Sequence, residues 1–488
     1  MSLRDLLFRA DAARDDVAVH AGDATCTWDE LRHRAEDVAC ALADAGVQAG
    51  QPVGVMLPNG IDLIAALFGV WRADAVYVPL NPRLTAPEVD RIVAKVPPAA
   101  VVTTPELATR FTGIPVLVHD SSWRRTGPDA SAVSTTFDPA VALVQFTSGT
   151  TGEPKPVLLE HDGVLRLLEG VVAKIRGGGA PRAAAPMANL IPVSLSLWAG
   201  IYNVLFAFLV GAPVVVMDRF ATGEFAELVR RHGIRSTVLP PAAMTALADD
   251  EGIADLAPLR LVRSITAPLS PLQARRFKDR FGLAVLNSYG QTELGGEIVG
   301  WTAADARAHG DTKLGAVGRP HAGVELRVVE DTGELWVRTP AMAAGYADGS
   351  DLGDRLSDDG WFRTGDVGRV DADGFLWIEG RVSDMVNRGG LKVHPGEVEE
   401  VLRLAPDVAD AAVVGVPDER LGEVPWAFVV PAERNGPDPE ALAALCRDHL
   451  APYKVPVRFE TIDALPRNEV GKVLKRELVE QAEEAASR

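Results

Sequence analysis

Short apolar runs alternate with segments of helical periodicity along most of this chain. Apolar residues recur with the period of an amphipathic helix over residues 63–71 and 225–232. Apolar and β-branched runs over 75–79, 212–217 and 236–239 predict short buried strands. Because helices that alternate with short strands are typical of layered α/β folds, we predict an α/β class for the N-terminal part.

The pattern changes after about residue 315. Runs such as 324–329 and 374–378 predict short strands separated by turns, which we interpret as a β-rich subdomain closing the large portion. Around 380–384 the apolar density falls and charged residues gather. Beyond it, the runs 413–416 and 426–430 predict strands of a separate, smaller α+β unit.

Chain length also favours two domains. A chain of 488 residues exceeds what a single hydrophobic core normally organises. We therefore predict a large N-terminal domain over residues 1–380 and a small C-terminal domain over residues 381–488.

Composition narrows the classes of function and the compartment. The chain has 49 Lys and Arg against 67 Asp and Glu, a net charge of -18, which argues against nucleic acid or an anionic membrane as a partner. Cys26, Cys40 and Cys446 are too few and too far apart to predict a disulfide framework or a cysteine metal cluster. With no apolar stretch long enough to span a bilayer, we expect a cytoplasmic protein.

The most informative segment follows the apolar run Val141–Phe146 and extends over residues 147–155. Its glycines, hydroxyl residues and lysine supply backbone N–H groups, hydroxyl donors and a cation around one point, as a polyphosphate site needs. Its order is not G-x-x-x-x-G-K-[ST], so an ordinary NTPase loop is disfavoured, while a polar surface loop remains the alternative. The residues concerned are Thr147, Ser148, Gly149, Thr150, Thr151, Gly152 and Lys155.

Further motifs follow this loop in order, at residues 287–293, 361–366, 380–384, 389–399 and 466–472. Together with the loop they resemble the signature motifs of the adenylate-forming superfamily. That superfamily contains acyl-CoA synthetases, firefly luciferase and the adenylation domains of peptide synthetases, and the chain most resembles its AMP-forming acid-CoA ligases. The resemblance covers nearly the whole chain, and a chance match to six ordered motifs is hard to obtain.

The resemblance implies an enzyme that uses ATP, Mg²⁺ and CoA, and it assigns roles to residues. Thr151 and Glu293 are the implied magnesium ligands, and Asp366 is expected to accept hydrogen bonds from both ribose hydroxyls, with Arg381 at the same ribose. Tyr289 is expected to stack on adenine, although half-buried packing is the alternative. The adenine segment comprises Asn287, Ser288, Tyr289, Gly290, Gln291 and Thr292.

The same resemblance makes residues 381–488 a mobile domain that carries the catalytic lysine. Lys472 is expected to bridge the acid and the α-phosphate during adenylation and to leave when the domain rotates. Position matching puts the hinge at Ser383 and Asp384, an imperfect match to the family pattern. Gly389 and Gly390 would let a pantetheine arm pass close to the backbone, unless they simply form a tight turn.

Three departures from the family pattern bear on the acid substrate. Pro156 replaces a usual glycine after Lys155, and Ala188 and Asn189 replace an aromatic residue and a histidine. Asn189 could donate to the acid or could simply cap a helix. Ile265, Thr266 and Ala267 occupy a segment that is usually richer in glycine, which predicts a pocket for an aromatic, cyclic or medium-length acid, unless the Ile265 or Thr266 side chain points into the protein.

Three functions remain open on the sequence alone. The leading one is an acid-CoA ligase, and the second passes the acyl group to an amine or to the phosphopantetheine of a carrier protein. The third is a binding protein that has lost catalysis, which the presence of Lys472, Glu293 and Asp366 disfavours. The expected partners are a small carboxylic acid and one of these acceptors, with no nucleic acid or membrane, and either a monomer or a homodimer.

Overall fold

A computed structural model describes residues 2–8, 14–119, 123–126, 135–148, 154–176, 186–350, 352–432, 436–467 and 472–486. No helix in these ranges is both long and apolar enough to cross a membrane. The helices are α1 (Asp5–Phe8), α2 (Trp28–Asp44), α3 (Ile61–Arg72), α4 (Ala86–Lys95), α5 (His161–Arg176), α6 (Trp198–Leu209), α7 (Thr222–Arg231), α8 (Pro241–Asp249), α9 (Pro271–Phe281), α10 (Ala303–His309), α11 (Pro395–Leu402), α12 (Pro439–His449) and α13 (Lys475–Ala486).

The strands of the N-terminal part alternate with these helices. They are β1 (Val17–Ala21), β2 (Ala24–Thr27), β3 (Pro52–Met56), β4 (Val76–Pro79), β5 (Ala100–Thr103), β6 (Val116–His119), β7 (Trp123–Thr126), β8 (Val141–Ser148), β9 (Pro154–Glu160), β10 (Asn189–Ile191), β11 (Val214–Val216), β12 (Ser236–Leu239), β13 (Leu261–Ser264) and β14 (Ala284–Asn287).

The remaining strands form the β-rich and C-terminal parts. They are β15 (Tyr289–Gln291), β16 (Gly296–Gly300), β17 (Arg319–Pro320), β18 (Glu325–Val328), β19 (Glu334–Arg338), β20 (Gly345–Tyr346), β21 (Phe362–Val370), β22 (Leu376–Arg381), β23 (Val386–Arg388), β24 (Leu391–Val393), β25 (Val408–Asp418), β26 (Gly422–Pro431) and β27 (Arg458–Thr461).

The largest sheet has eight strands in the order β20-β9-β8-β4-β3-β5-β6-β7. Its centre is parallel, whereas β9 runs antiparallel to β8. Every residue of β3 is buried, as expected for a parallel strand covered on both faces. The connection from β8 to β9 is the segment that carries the predicted phosphate loop.

A second parallel sheet, β12-β13-β14, leads into the adenine segment. The preceding helix α9 begins with a capping box, in which Ser270 Oγ accepts from the Gln273 N–H at 3.2 Å. It ends at Gly282, whose φ of 68° is a left-handed conformation that favours glycine. The register pairs Ser264 with Asn287, so the carboxyl ends of β13 and β14 lie side by side, where open α/β sheets bind ligands.

The predicted β-rich subdomain is present as the antiparallel sheet β18-β19-β21-β22. Its register pairs Asp366 on β21 with Arg381 on β22. The strands predicted over 324–329 and 374–378 correspond to β18 and β22.

The C-terminal part is built on the sheet β24-β23-β26-β25, with β27 pairing β26. Alternate residues of β25 belong to two different cores: Val413 packs with α11 and α12, whereas Val414 packs with α13. Helices therefore cover both faces of this sheet. The predicted class, a large layered α/β part followed by a small α+β part, is confirmed, while the boundary between residues 380 and 381 stays a prediction.

Candidate active site

The Asp366 carboxylate is the centre of a buried hydrogen-bond network, with only 7% of the residue exposed. Its Oδ2 accepts from the Tyr289 hydroxyl at 2.7 Å and from Gln291 Nε2 at 2.6 Å. Its Oδ1 accepts from Arg381 Nε at 2.8 Å. The structure thus brings together residues from two predicted motifs and the following hinge segment, which lie far apart in sequence.

Electrostatics fix the donor roles in this network. Burial, and then the neighbouring Asp366 carboxylate, raise the pKa of Tyr289 well above its usual range, so its phenol stays protonated and donates. Burial alone would lower the pKa of Arg381, but the attraction of Asp366 outweighs it and raises that pKa. Both groups therefore remain donors to Asp366 over the whole neutral range.

The turn before Asp366 is held by its own motif residues. Thr364 Oγ1 donates to the Leu335 carbonyl at 2.6 Å and accepts from the Asp366 N–H at 3.0 Å. Gly365 has a φ of 70°, and its N–H donates to Glu334 Oε1 at 3.1 Å. The threonine and the left-handed glycine explain why this motif places its aspartate at one fixed position.

The adenine segment forms a tight hairpin. Asn287 ends β14, and Ser288 Oγ donates to the Ser264 carbonyl at 3.1 Å. A Cβ on Gly290 would lie 1.8 Å from the Gly296 carbonyl oxygen, so only glycine fits there. Thr292 begins a 3-10 turn that carries Glu293.

Glu293, one of the two predicted magnesium ligands, is 8% exposed and faces an arginine that the sequence did not single out. Arg355 Nη1 donates to Glu293 Oε1 at 3.1 Å. The second predicted ligand, Thr151, lies outside the described residues, so the pairing of the two stays a prediction. No cluster of three or more His, Cys, Asp or Glu residues suited to a metal is found where the structure describes the chain.

The phosphate loop is described only at its ends. Gly149, Thr150, Thr151 and Gly152 lie outside the described residues, whereas Thr147 pairs with Lys155 across β8 and β9. Pro156 lies within β9 rather than in the loop, and its carbonyl accepts from the Ala347 N–H at 2.8 Å.

Tyr346 connects this hairpin to Glu293. Lys155 Nζ lies 5.3 Å from the centre of the Tyr346 ring. The Tyr346 hydroxyl is buried, and burial followed by the charge of Glu293 raises its pKa, while Arg355 acts in the opposite direction.

Lys472 lies at the same site. Burial, and then the positive charge of Arg381, lower its pKa, while Asp384 and Asp366 act in the opposite direction. Lys472 thus lies within electrostatic range of Arg381, Asp384 and Asp366, while its role in catalysis stays a prediction.

The predicted hinge and glycine pair occupy simple local structures. Ser383 and Asp384 lie in a 3-10 turn, where Ser383 Oγ donates to Asp384 Oδ1 at 2.9 Å. Gly389 and Gly390 have φ angles of 60° and 87° and form the two-residue loop of the β23–β24 hairpin. The tight-turn interpretation is therefore correct, and a role beside pantetheine stays a proposal.

The predicted acid-facing residues lie beside α6 and β13. Asn189 begins β10 and its Nδ2 donates to the Asn203 carbonyl at 3.0 Å, so the helix-capping alternative is wrong. Ile265 packs against the main core, while Thr266 is exposed and Ala267 half-buried. Thr266 adopts a φ of 73°, which is unfavourable for a β-branched residue.

A buried charged cluster next to this segment was missed by sequence reasoning. Glu297 accepts from Arg263 Nη1 at 3.3 Å and lies 3.2 Å from His321 Nε2. Although burial raises the pKa of Glu297, these neighbours outweigh it and hold that pKa below its usual value. Burial lowers the pKa of the nearby Lys174 to about 8, and its ammonium donates to the Gly300 carbonyl at 2.7 Å. No motif joins these residues, which come from separate elements.

The layered fold and the carboxylate-centred site define an adenylate-forming enzyme. The chain belongs to the AMP-binding enzyme family, whose model matches residues 8–347. The model of the AMP-binding enzyme C-terminal domain matches residues 397–472. The predicted superfamily and enzyme class are confirmed.

Individual relatives cover almost the whole chain. The fatty acid–[acyl-carrier-protein] ligase ScoC of Streptomyces coeruleorubidus is 31% identical over 507 residues, 96% of this chain and 94% of the relative. The 2-succinylbenzoate–CoA ligase of Geobacillus kaustophilus is 33% identical over 486 residues, 96% of each chain. Among solved structures, the amide bond synthetase McbA from Marinactinospora thermotolerans superposes with a TM-score of 0.86 at 30% identity, covering 98% of this chain and 99% of that one.

Proposed function

We propose that this protein is an ATP-dependent acid-CoA ligase that releases AMP. The observation that carries the proposal is the Asp366 network with Lys472 close to it. Asp366 would bind the ribose, and Lys472 would reach from there to the bond that reacts. A site that only bound a nucleotide would need Asp366 but not Lys472.

The proposed reaction has two steps. A carboxylate oxygen of the acid attacks the α-phosphorus of ATP, the bond to the bridging oxygen of pyrophosphate breaks, and an acyl-adenylate forms. The sulfur of CoA then attacks the acyl carbon, its thiol proton is lost, and AMP leaves. In the first step the Lys472 ammonium would stabilise negative charge shared by the acid and the α-phosphate.

Ribose binding would rearrange the Asp366 network. A carboxylate offers about four acceptor directions, and Tyr289, Gln291 and Arg381 use three of them. Two ribose hydroxyls therefore cannot both be added without displacing a donor. We propose that the Tyr289 hydroxyl moves aside when its ring stacks on adenine.

The residues present fit a magnesium ion. Mg²⁺ in nucleotide sites is held through one or two carboxylates, waters and the substrate phosphates, and Glu293 supplies such a carboxylate. Thr151 is the proposed second ligand. When bound, the ion would neutralise charge on the phosphates as pyrophosphate departs.

The acid is proposed to be aromatic, cyclic or medium-length. The exposed, left-handed Thr266 supports this, because a side chain there adds volume where glycine would leave space. Ile265, which packs against the main core, gives no such support. Asn189 and Ala267 are proposed to lie along the same pocket.

The acceptor is the least constrained part of the proposal. CoA is supported by the similarity to a 2-succinylbenzoate–CoA ligase, and Gly389 and Gly390 would border its pantetheine arm. An amine is favoured as the second candidate by the similarity to an amide bond synthetase over 98% of this chain. A carrier-protein thiol is the third, from the similarity to ScoC. In each case residues 381–488 would rotate about Ser383 and Asp384 between the two steps.

The proposed setting is the cytoplasm, with no nucleic-acid partner and either a monomeric or a homodimeric state. Cys26, Cys40 and Cys446 are free thiols, which suits a reducing compartment.

Pyrophosphate release tests the proposal directly. The enzyme is incubated with ATP and Mg²⁺ and a panel of aryl, cyclic and fatty acids, each with and without CoA or an amine, and products are identified by mass. An acyl-CoA product supports the ligase. Release that yields only an adenylate or an amide favours the second candidate, and palmitate turnover without any aryl or cyclic acid contradicts the proposed acid class.

Lys472→Ala separates catalysis from nucleotide binding. We expect adenylation to fall at least about a hundredfold while ATP affinity stays nearly unchanged, since the charge acts on the reacting bond. Lys278→Ala is the matched control, because Lys278 forms a surface ion pair with Asp311. Equal activity of both variants would overturn the role of Lys472.

A further inference from the structure

Arg355 lies outside every predicted motif but contacts residues of two of them. It lies in the connection between β20 and β21, on a 3-10 turn. Its Nη1 donates to Glu293 Oε1 at 3.1 Å, and its Nη2 donates to Gln291 Oε1 at 3.3 Å and to the Thr364 carbonyl at 2.9 Å. The guanidinium therefore connects the adenine and ribose motifs directly.

Two further contacts hold Arg355 in place. Its Nε donates to the Arg363 carbonyl at 3.3 Å, and its guanidinium carbon lies 4.5 Å from the centre of the Phe362 ring. Only 30% of the side chain is exposed. The Arg355 guanidinium is stacked on one face and hydrogen-bonded along its edges, so its orientation is nearly fixed. It can therefore fix the orientation of the side chains that it contacts.

The chemistry of the fork determines how Gln291 is oriented. Arginine has donors only, so the Gln291 oxygen must face Arg355 and its NH₂ group must face the other way. That is the orientation in which Gln291 Nε2 donates to Asp366 Oδ2 at 2.6 Å. The Thr364 carbonyl, which accepts from Gln291 Nε2 at 3.0 Å, favours the same orientation, so loss of Arg355 would remove one of the groups that hold the amide this way.

The same fork orients Glu293. Arg355 engages Oε1 of the carboxylate, which leaves Oε2 as the oxygen for another ligand. The Tyr346 hydroxyl lies in the same cluster, near both Glu293 and Arg355. Groups that hold a metal ligand in position are known to change metal affinity ten- to a hundredfold.

We propose that Arg355 is a positioning residue that presents Glu293 to a divalent cation and Gln291 to Asp366. This inference rests on the proposed function, because the cation enters with ATP. It predicts that loss of Arg355 weakens cation binding in the ternary complex much more than it weakens binding of AMP without a metal.

The test is a titration of Mn²⁺, a paramagnetic substitute for Mg²⁺, followed by electron paramagnetic resonance with ATP present and no acid. In Arg355→Gln we expect Mn²⁺ affinity to fall about ten- to a hundredfold. Arg355→Lys should show a similar loss, since a point charge cannot reproduce the fork. AMP affinity without metal, measured by calorimetry, should change far less. Arg338→Gln is the matched control, because Arg338 lies 4.5 Å from the centre of the Trp361 ring and donates instead to Glu325 and to the Asp359 carbonyl.

A double mutant tests whether Arg355 acts through Glu293. In a Glu293→Gln background, adding Arg355→Gln should cause no further loss of Mn²⁺ affinity. Additive losses, an unchanged Mn²⁺ affinity in the single variant, or an equal loss of Mn²⁺ and AMP binding would each overturn the proposal. If the unaltered protein bound neither ATP nor Mn²⁺ in the presence of ATP, the proposed function itself would be wrong. If the unaltered protein bound both and Arg355→Gln bound them equally well, only the role of Arg355 would be wrong.

Discussion

Asp366 and Arg381 face each other across the β21–β22 hairpin, joined by a 2.8 Å hydrogen bond between Oδ1 and Nε. The 15-residue separation in sequence is the length of the two strand segments and their turn. A single antiparallel register therefore places a carboxylate beside a guanidinium at the edge of the site. Lys472 lies near enough to feel the charge of both.

Asp366→Asn should weaken both the fold and nucleotide binding. The amide keeps the size of the carboxylate but turns one acceptor into a donor that faces the donors Tyr289, Gln291 or Arg381. We expect a loss of roughly 2 kcal/mol in the free energy of unfolding and at least a tenfold loss of AMP affinity, measured by urea denaturation and calorimetry. Asp23→Asn is the control, as Asp23 is fully exposed in a loose pair with Arg231. Unchanged AMP affinity would contradict the ribose role.

The rate of adenylation should begin to fall at a lower pH than it would if Lys472 had the pKa of an ordinary lysine. Burial and Arg381 lower the pKa of Lys472, and the ammonium is the active form, so the rate falls as pH rises through that lowered pKa. The measurement is the pH profile of single-turnover pyrophosphate release. Lys472→Arg should retain some activity and lack the alkaline limb, because a guanidinium does not titrate there. The same limb in both proteins would assign it to another group.

Much of the fold follows from sequence patterns that are local. The apolar run at Val141–Phe146 lies in β8, and the periodic segment 63–71 lies in α3. The helix buries its apolar side chains in the main core, whereas the strand divides its own between two cores. The resemblance likewise assigned the adenine segment and Asp366 to one nucleotide, and the structure joins them through Tyr289 and Gln291.

Other parts of the site could not be predicted because they depend on tertiary contacts. Arg355 lies in a connection with no motif, and only the folded chain brings its fork to Glu293 and Gln291. The Glu297 cluster joins β13, β16 and α5 in the same way. A sequence also gives no backbone angle, so the left-handed Thr266 was recognised only as an unusual residue type.

Thr266→Gly should stabilise the protein and widen the acid pocket. A β-branched residue at φ 73° carries backbone strain, and glycine removes it. Glycine also raises the conformational entropy of the unfolded chain, which offsets part of this gain. We expect a net increase of about 1 kcal/mol in the free energy of unfolding, measured by urea denaturation. Ala267→Gly, which has no such angle to relieve, should instead destabilise. The acid panel should shift toward longer acids in Thr266→Gly, and a loss of stability there would contradict the strain.

His161 should make the fold sensitive to mild acid. Its Nδ1 is buried and has no hydrogen-bond partner among the described residues, its ring packs 5.5 Å from that of Trp71, and burial lowers its pKa from 6.5 to about 4. Between those values the unfolded chain binds a proton that the folded protein does not, so stability is lost as pH falls below 6.5. From pH 7 to pH 5 this single group should cost about 2 kcal/mol.

His161→Phe should remove that part of the pH dependence, because phenylalanine fills a similar volume beside Trp71 and has no proton to bind. The measurement is the free energy of unfolding by urea at pH 7 and pH 5 for both proteins. Carboxylates titrate equally in the two, so the difference between their pH slopes isolates His161. His33→Phe is the control for the substitution itself, since that side chain is 75% exposed. Equal slopes for His161→Phe and the unaltered protein would mean that His161 accepts its proton in the folded state.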